Sequence, residues 1–286
     1  MGNIPAIHQV RSIDEISVRS LREVRAVFFD IDDTFSGGEG QARILAEAYD
    51  ALWKLYHAGV IVVPVTGRPA GWCDMIARMW PVSAVVGENG AFYCYLDSSS
   101  KPHRFVKKYL ESAAVRAANA RKLKALFQTV KKKFPTARVA SDQHFREFDF
   151  AIDYCEDVPR WPEKRVEDLI EFCASRGAMA KLSSIHVNVW YGRYDKWTCV
   201  QRVLKQYFRI DPHEQIQNVV YIGDSPNDEP FFSRMPFTVG VANIRGFLHK
   251  MKSAPAFITH ESSGLGFAEF ARLLLETRRV PRKGID

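Results

Sequence analysis

Short apolar runs that end abruptly in polar residues organise this chain. Val24 to Phe29, Val60 to Val65 and Val219 to Ile222 are near-continuous apolar stretches. They have the length of strands rather than helices, and unbroken apolarity suits strands covered on both faces of a parallel sheet. Between the first two, Leu45, Tyr49, Leu52, Trp53 and Tyr56 recur at helical spacing. That stripe predicts a helix from about Arg43 to His57, which Gly59 stops. A second helix is expected from near Pro69 to Met79, with Pro69 suited to its first turn. A strand over Ser83 to Val86 follows. Strands alternating with helices predict an α/β fold, a doubly wound and mainly parallel Rossmann-like sheet.

From about Ala91 to Trp190 the rhythm changes. Strands are expected over Ala91 to Leu96, Phe145 to Tyr154 and Lys181 to Trp190, one or two helices over Tyr109 to Phe134, and a helix over Glu163 to Ser175. Two helices against alternating strands describe a small α+β module with an antiparallel sheet. In its last strand Ile185, Val187 and Val189 share one face, and His186, Asn188 and Trp190 the other. The α/β pattern then resumes with a helix over Trp197 to Phe208, strands over Val219 to Ile222 and Phe237 to Val241, and a closing helix near Gly266 to Thr277. The expected organisation is an N-terminal extension (1–23), a core from 24–90 and 191–286, and an inserted domain over 91–190.

Composition adds limits. Hydrophobic residues make up 47% of 286 positions and charged residues 26%, enough for a sizeable core. No apolar stretch approaches the ~20 residues that span a bilayer. The first residues lack the apolar segment of a secretory signal. Five cysteines, odd in number and without CxxC spacing, point to reduced thiols, a cytoplasmic location and no zinc or disulfide frame. Net charge is +7, but residues 101–138 carry twelve Lys or Arg against Glu111 alone, leaving the remainder at −4. Leu123, Leu126, Phe127, Val130 and Phe134 take one face of that segment and lysines the others, the pattern of a solvated amphipathic helix. No nucleic-acid or membrane partner is expected. A positive field that draws in anionic small molecules is.

The chemistry gathers where strands end. Asp30 and Asp32 flank Ile31 directly after the first strand, and residues two apart can turn into one volume beyond it. One carboxylate can attack phosphorus while the other donates and then accepts a proton. Taken alone, the pair also fits a solvated acidic turn. Asp224 and Asp228, with Asn227 between, follow Tyr221-Ile222-Gly223 in the same way. With Asp30 they offer hard oxygen ligands for Mg²⁺. Thr66-Gly67-Arg68 closes its strand before a helix, where a hydroxyl and N–H groups form a phosphate seat. Lys196 opens the helix after the inserted module, where a cation can hold phosphoryl oxygens. Singly, Thr66 reads as a helix cap and Lys196 as a surface lysine.

These motifs, in this order, resemble the haloacid dehalogenase (HAD) superfamily of phosphatases, in the subfamily (IIB, Cof-type and sucrose-phosphatase-like) whose cap domain lies between the second and third motifs. Ile222 to Asp228 and Gly87-Glu88-Asn89-Gly90-Ala91 carry much of the likeness, which spans about residues 24–275. The resemblance implies Asp30 as nucleophile and Asp32 as general acid/base, its backbone carbonyl also a metal ligand. It implies that Thr66, Gly67, Lys196 and Asn227 bind the phosphoryl group. Asp30, Asp32, Asp224 and Asp228 would hold Mg²⁺. Arg68, Asn89, His186 and Asn188 are candidates for contact with the leaving group, a small phosphorylated metabolite such as a phosphosugar. Asp33 replaces a frequent glycine and Trp197 another, changes that bear on substrate choice.

The rival readings are a phosphomutase of the phosphomannomutase type and a binding or regulatory protein on the same scaffold. A dinucleotide site at Gly38-Glu39-Gly40-Gln41-Ala42-Arg43 is disfavoured by the missing third glycine and the carboxylates before it.

Overall fold

The computed structural model describes residues 10–37, 43–99, 101–183 and 185–279. The glycine-rich loop beyond Gly37 and the start of the N-terminal extension therefore lie outside the described residues. The chain divides into two compact units. Among the described residues, the first holds those up to Val65, Trp80–Ala84 and those from Gln201 on; the second holds those of Thr66–Met79 and Val85–Val200.

In chain order the strands are β1 (Arg11–Ser12), β2 (Ala26–Phe29), β3 (Ile61–Pro64), β4 (Val85–Gly87), β5 (Phe92–Asp97), β6 (Arg104–Tyr109), β7 (Arg138–Val139), β8 (Asp149–Asp153), β9 (Met179–Leu182), β10 (His186–Trp190), β11 (Val219–Gly223), β12 (Thr238–Gly240) and β13 (Phe257–Ile258). The helices are α1 (Val18–Glu23), α2 (Ala46–His57), α3 (Ala70–Met79), α4 (Ala113–Lys133), α5 (Glu163–Ala174), α6 (Lys196–Arg202), α7 (Glu229–Phe232) and α8 (Ser263–Arg279).

The first unit is built on a parallel six-stranded sheet in the order β1-β13-β12-β11-β2-β3. The central strands β2 and β11 are buried at every position, which is why they read as unbroken apolar runs. One face packs on α2 and α8, with Val27, Phe29, Val220 and Ile222 against Leu52, Leu55, Phe267, Phe270 and Leu274. On the other, Tyr221 stacks on Phe231 of α7 at 3.6 Å. The apolar stripe of α2 differs from expectation. Ala48, Ala51, Leu52 and Leu55 are buried, whereas Trp53 and Tyr56 are 39% and 44% exposed. Small alanines let α2 approach the core closely, so the large rings on the neighbouring face stay outside. The extension is not a detached tail: β1 adds to the sheet edge through Arg11↔Phe257 and Ser12↔Ile258.

The second unit carries two antiparallel sheets. β7-β8-β10-β9 forms the four-stranded one, whose apolar face (Phe150, Ile152, Val187, Val189) packs on Leu126 and Val130 of α4 and Leu169 and Phe172 of α5. β4-β5-β6 forms the other, so β4, expected within the parallel sheet, pairs antiparallel with β5 instead. The run from Lys181 to Trp190, expected as one strand, is a hairpin: β9 and β10 pair antiparallel across Val187↔Leu182, and the Ser183 hydroxyl accepts from His186 N–H at 3.0 Å to turn the chain. The strand expected from Phe145 begins only at Asp149, because residues 143–145 form a 3₁₀ turn. The helix expected over Trp197 to Phe208 is α6 followed by a π-helical turn, Val203–Tyr207.

Candidate active site

In the first unit, the parallel register Phe29↔Ile222 brings β2 and β11 to an end side by side, and Asp30 N–H donates to Ile222 C=O at 2.9 Å. Carboxylate oxygens of Asp30, Asp224 and Asp228 consequently lie within 4.8 Å of one another, all three residues buried. The Asp224 side chain accepts from Thr34 Oγ1 at 3.0 Å and from Asn243 Nδ2 at 3.4 Å. The same Asn243 amide holds the Asp33 carbonyl at 3.0 Å, fixing the turn after the first aspartates; Asp33 sits there at φ 55°. Asp228 accepts from Tyr221 Oη at 2.5 Å and from Asp224 N–H at 3.1 Å. Gly223 makes this possible, since a Cβ there would lie 2.4 Å from Asp228 Oδ2. Asp32 is half-buried, as is Asn227 within the 3₁₀ turn that Ser225 caps.

Three buried carboxylates this close repel, and burial removes the water that would screen them. Burial pushes the Asp224 carboxyl well above its usual range, Asp228, Asp30 and Asp33 push it further, and the Thr34 hydroxyl opposes them. Hard oxygen donors gathered in one buried place fit a divalent cation such as Mg²⁺. The side chain of Asp32 is outside this cluster, which leaves its backbone carbonyl as the atom the resemblance assigns to a metal.

The second unit holds Thr66, Gly67, Arg68, Asn89, His186, Asn188 and Lys196. Thr66 follows β3, and its Oγ1 accepts from Arg68 N–H at 2.9 Å. The turn Glu88–Gly90 has φ 42°, 55° and 98° in succession, and its Asn89 N–H donates to Thr66 C=O at 3.1 Å. The carboxamide of Asn89 lies against Gly67, where a Cβ would come within 3.1 Å of its Oδ1. Nδ2 of Asn89 is buried without a hydrogen-bond partner. Gly90 presses on the Asp195 carbonyl at the start of α6, from which Lys196, itself buried, begins the helix.

Arg68 is buried between Asp142 at 3.5 Å and Glu156 at 3.4 Å, with Trp72 under its guanidinium. His186 Nε2 approaches Glu156 Oε2 at 2.8 Å, off the axis of a hydrogen bond. His186 and then Arg68 hold the Glu156 carboxyl below its usual range against the effect of burial. Asn188 donates to Asp149 at 3.0 Å. Tyr221 and Asn243 escaped the sequence reading because their roles depend on where distant strands end. Asp142 and Glu156 did so because nothing in their local sequence marks them.

Among the described residues, no helix is long and apolar enough to cross a membrane. A profile described as haloacid dehalogenase-like hydrolase matches residues 27–270. No curated protein sequence matches the chain. Among solved structures, a Thermoplasma acidophilum protein is 18% identical, with TM-score 0.66, over 89% of this chain and 99% of that one. Synechocystis sucrose-phosphatase, solved with sucrose and phosphate, is 15% identical with TM-score 0.61, over 88% and 98%. The C-terminal domain of Candida albicans trehalose-6-phosphate phosphatase is 13% identical with TM-score 0.66, over 94% and 98%. These likenesses establish the fold. With the ordered motifs, the convergent carboxylates and the profile match over most of its length, the chain belongs to the haloacid dehalogenase-like hydrolases.

Proposed function

We propose that this protein is a Mg²⁺-dependent phosphatase of small phosphate monoesters, phosphosugars or related metabolites, working through a phospho-Asp30 intermediate. The observation that carries the reading is the meeting of Asp30, Asp224 and Asp228 at the ends of two adjacent parallel strands. In an open α/β sheet that edge is where ligands bind. Asp30, Asp224, Asp228 and the Asp32 carbonyl would hold the ion. Bound there, Mg²⁺ lowers the repulsion between an anionic nucleophile and an anionic ester.

The chain's own residues supply the rest. Asp30 Oδ attacks phosphorus and the ester P–O bond breaks. Asp32 delivers its proton to the departing alkoxide, so the leaving group departs as a neutral alcohol. Asp32, now a carboxylate, takes a proton from water as the water oxygen attacks the acyl phosphate. Asp30 is restored and inorganic phosphate leaves. Thr66, Gly67, Lys196 and Asn227 bind the phosphoryl oxygens. Arg68, Asn89, His186 and Asn188 contact the leaving group.

The likeness to sucrose- and trehalose-6-phosphate phosphatases supports a sugar phosphate as the class to test first. A screen of phosphorylated metabolites, reading free phosphate with and without Mg²⁺, tests the proposal. Asp30→Asn should abolish release while the circular-dichroism spectrum stays unchanged. Full activity in that variant, or isomerisation of a sugar phosphate with little phosphate release, would refute it.

A further inference from the structure

In the second unit Arg146 has a fully buried cationic side chain, only 1% exposed. Nε and Nη2 grip the two oxygens of Asp142 at 3.1 and 3.3 Å. Nη1 reaches Asp149 Oδ1 at 3.0 Å and the Gly67 carbonyl at 2.9 Å. Asp142 and Asp149 alone would neutralise this guanidinium. Charge balance therefore gives no reason for Arg146 to spend a donor on the Gly67 carbonyl, in the middle of Thr66-Gly67-Arg68.

That bond fixes a peptide plane. In a trans peptide the C=O and the following N–H point in opposite directions, so Arg146 on the Gly67 oxygen aims Arg68 N–H the other way. That N–H donates to Thr66 Oγ1 at 2.9 Å. With its oxygen engaged as acceptor, the Thr66 hydroxyl keeps its one O–H to donate. Bonds joined in series through a peptide polarise one another in a buried setting.

The next two residues grip the same loop from its far end. Glu147 and Phe148 donate their N–H groups to Glu88 at 2.9 and 2.6 Å, and Glu88 Oε1 takes Ala70 N–H at 2.9 Å. Three consecutive residues, 146–148, thus hold the loop at Gly67 and at Ala70.

We propose that Arg146 is a positioning residue: through the Gly67–Arg68 peptide it orients the Thr66 hydroxyl as a donor to the phosphoryl oxygen. The inference rests on the phosphatase reading above, in which Thr66 binds that group. Arg146 touches no reacting atom. Lysine, with one ammonium in place of a planar fork, cannot reproduce the paired bonds to Asp142 while also reaching Asp149 and the Gly67 carbonyl.

The test is a double-mutant cycle on the full chain with Mg²⁺ and p-nitrophenyl phosphate, reading kcat/KM, inhibition by inorganic phosphate, and melting temperature. Arg146→Lys should lower kcat/KM by about tenfold and weaken phosphate inhibition in the Thr66 and Thr66→Ser backgrounds, which keep the hydroxyl. In Thr66→Val, already impaired, Arg146→Lys should cost less than about twofold more. A purely structural Arg146 would lower the melting temperature and give the same loss in all three backgrounds, which would overturn the inference. If Arg146→Lys does not fold, Asp149→Asn loosens the same guanidinium and should show the same dependence on the hydroxyl. Additive losses there also overturn it. Absence of turnover by the unaltered protein would remove the phosphatase reading and this inference together. Turnover with additive losses removes this inference alone.

Discussion

Asp30→Asn separates the cost of the carboxylate cluster from its use. Two unit charges 4.8 Å apart repel by about 3.5 kcal/mol at an effective dielectric constant near 20. Asp30 faces two such partners, a gross repulsion of about twice that figure, which its other contacts offset in part. Burial and the neighbouring carboxylates raise the Asp224 carboxyl, so a proton taken up there would relieve part of the repulsion. A net release of about 1–3 kcal/mol on replacing Asp30 by the neutral amide is then expected. For a chain of this size, that raises the melting temperature by about 2–10 °C in EDTA. With Mg²⁺ the order should reverse. A cation at a hundred times its dissociation constant adds about 2.7 kcal/mol to the unaltered protein, and the variant, short of one anionic ligand, should gain little. The assay is a thermal melt of both proteins at neutral pH, in EDTA and across a Mg²⁺ titration. An Asp30→Asn variant that melts at or below the unaltered protein in EDTA, or responds equally to Mg²⁺, would refute the argument that these carboxylates are held together against their own repulsion for a cation.

Gly90→Ala should destabilise the protein by more than about 3 kcal/mol, since the new Cβ would lie 2.1 Å from the backbone carbonyl oxygen of Asp195 at φ +98°. Gly59→Ala, at φ +72° with open space around it, should cost only about 1–2 kcal/mol; equal losses in denaturant titrations would contradict the close approach at Gly90. A second prediction concerns pH. Burial, and then Asp149, raise the Glu88 carboxyl to about 8 against the pull of three backbone N–H donors. Between about pH 4.5 and 8 the folded state then keeps a proton that the unfolded chain has already released. Stability should accordingly fall as pH rises through that window, by at most about 1.4 kcal/mol per pH unit from this group. Glu88→Gln should remove that component, so a difference between the two proteins that stays constant from pH 5 to 8 in urea titrations would contradict it.

Much was legible in the sequence because strands and helices announce themselves through local periodicity. β2, β3 and β11 read correctly because burial leaves almost no polar interruption, and polar residues mark where each of them ends. Misreadings arose where the decisive contact was distant. The Lys181–Trp190 run looked like one strand because its turn is made by a serine hydroxyl rather than by glycine or proline. An apolar run does not name its partner strand, so nothing local to β4 says that it pairs antiparallel with β5. Trp53 and Tyr56 fit the core stripe by spacing, yet hydrophobicity does not say how closely α2 will approach.

By itself the amino-acid sequence determined the alternation of strand and helix and the identity of the acidic residues at the strand ends, both of which follow from patterns a few residues long. The tertiary structure decided which of those acids meet. Asp30 and Asp224 converge because β2 and β11 hydrogen-bond in register, and Arg146 reaches Gly67 from 79 positions along the chain. Such pairings are set by the joint packing of many side chains, which no local window contains.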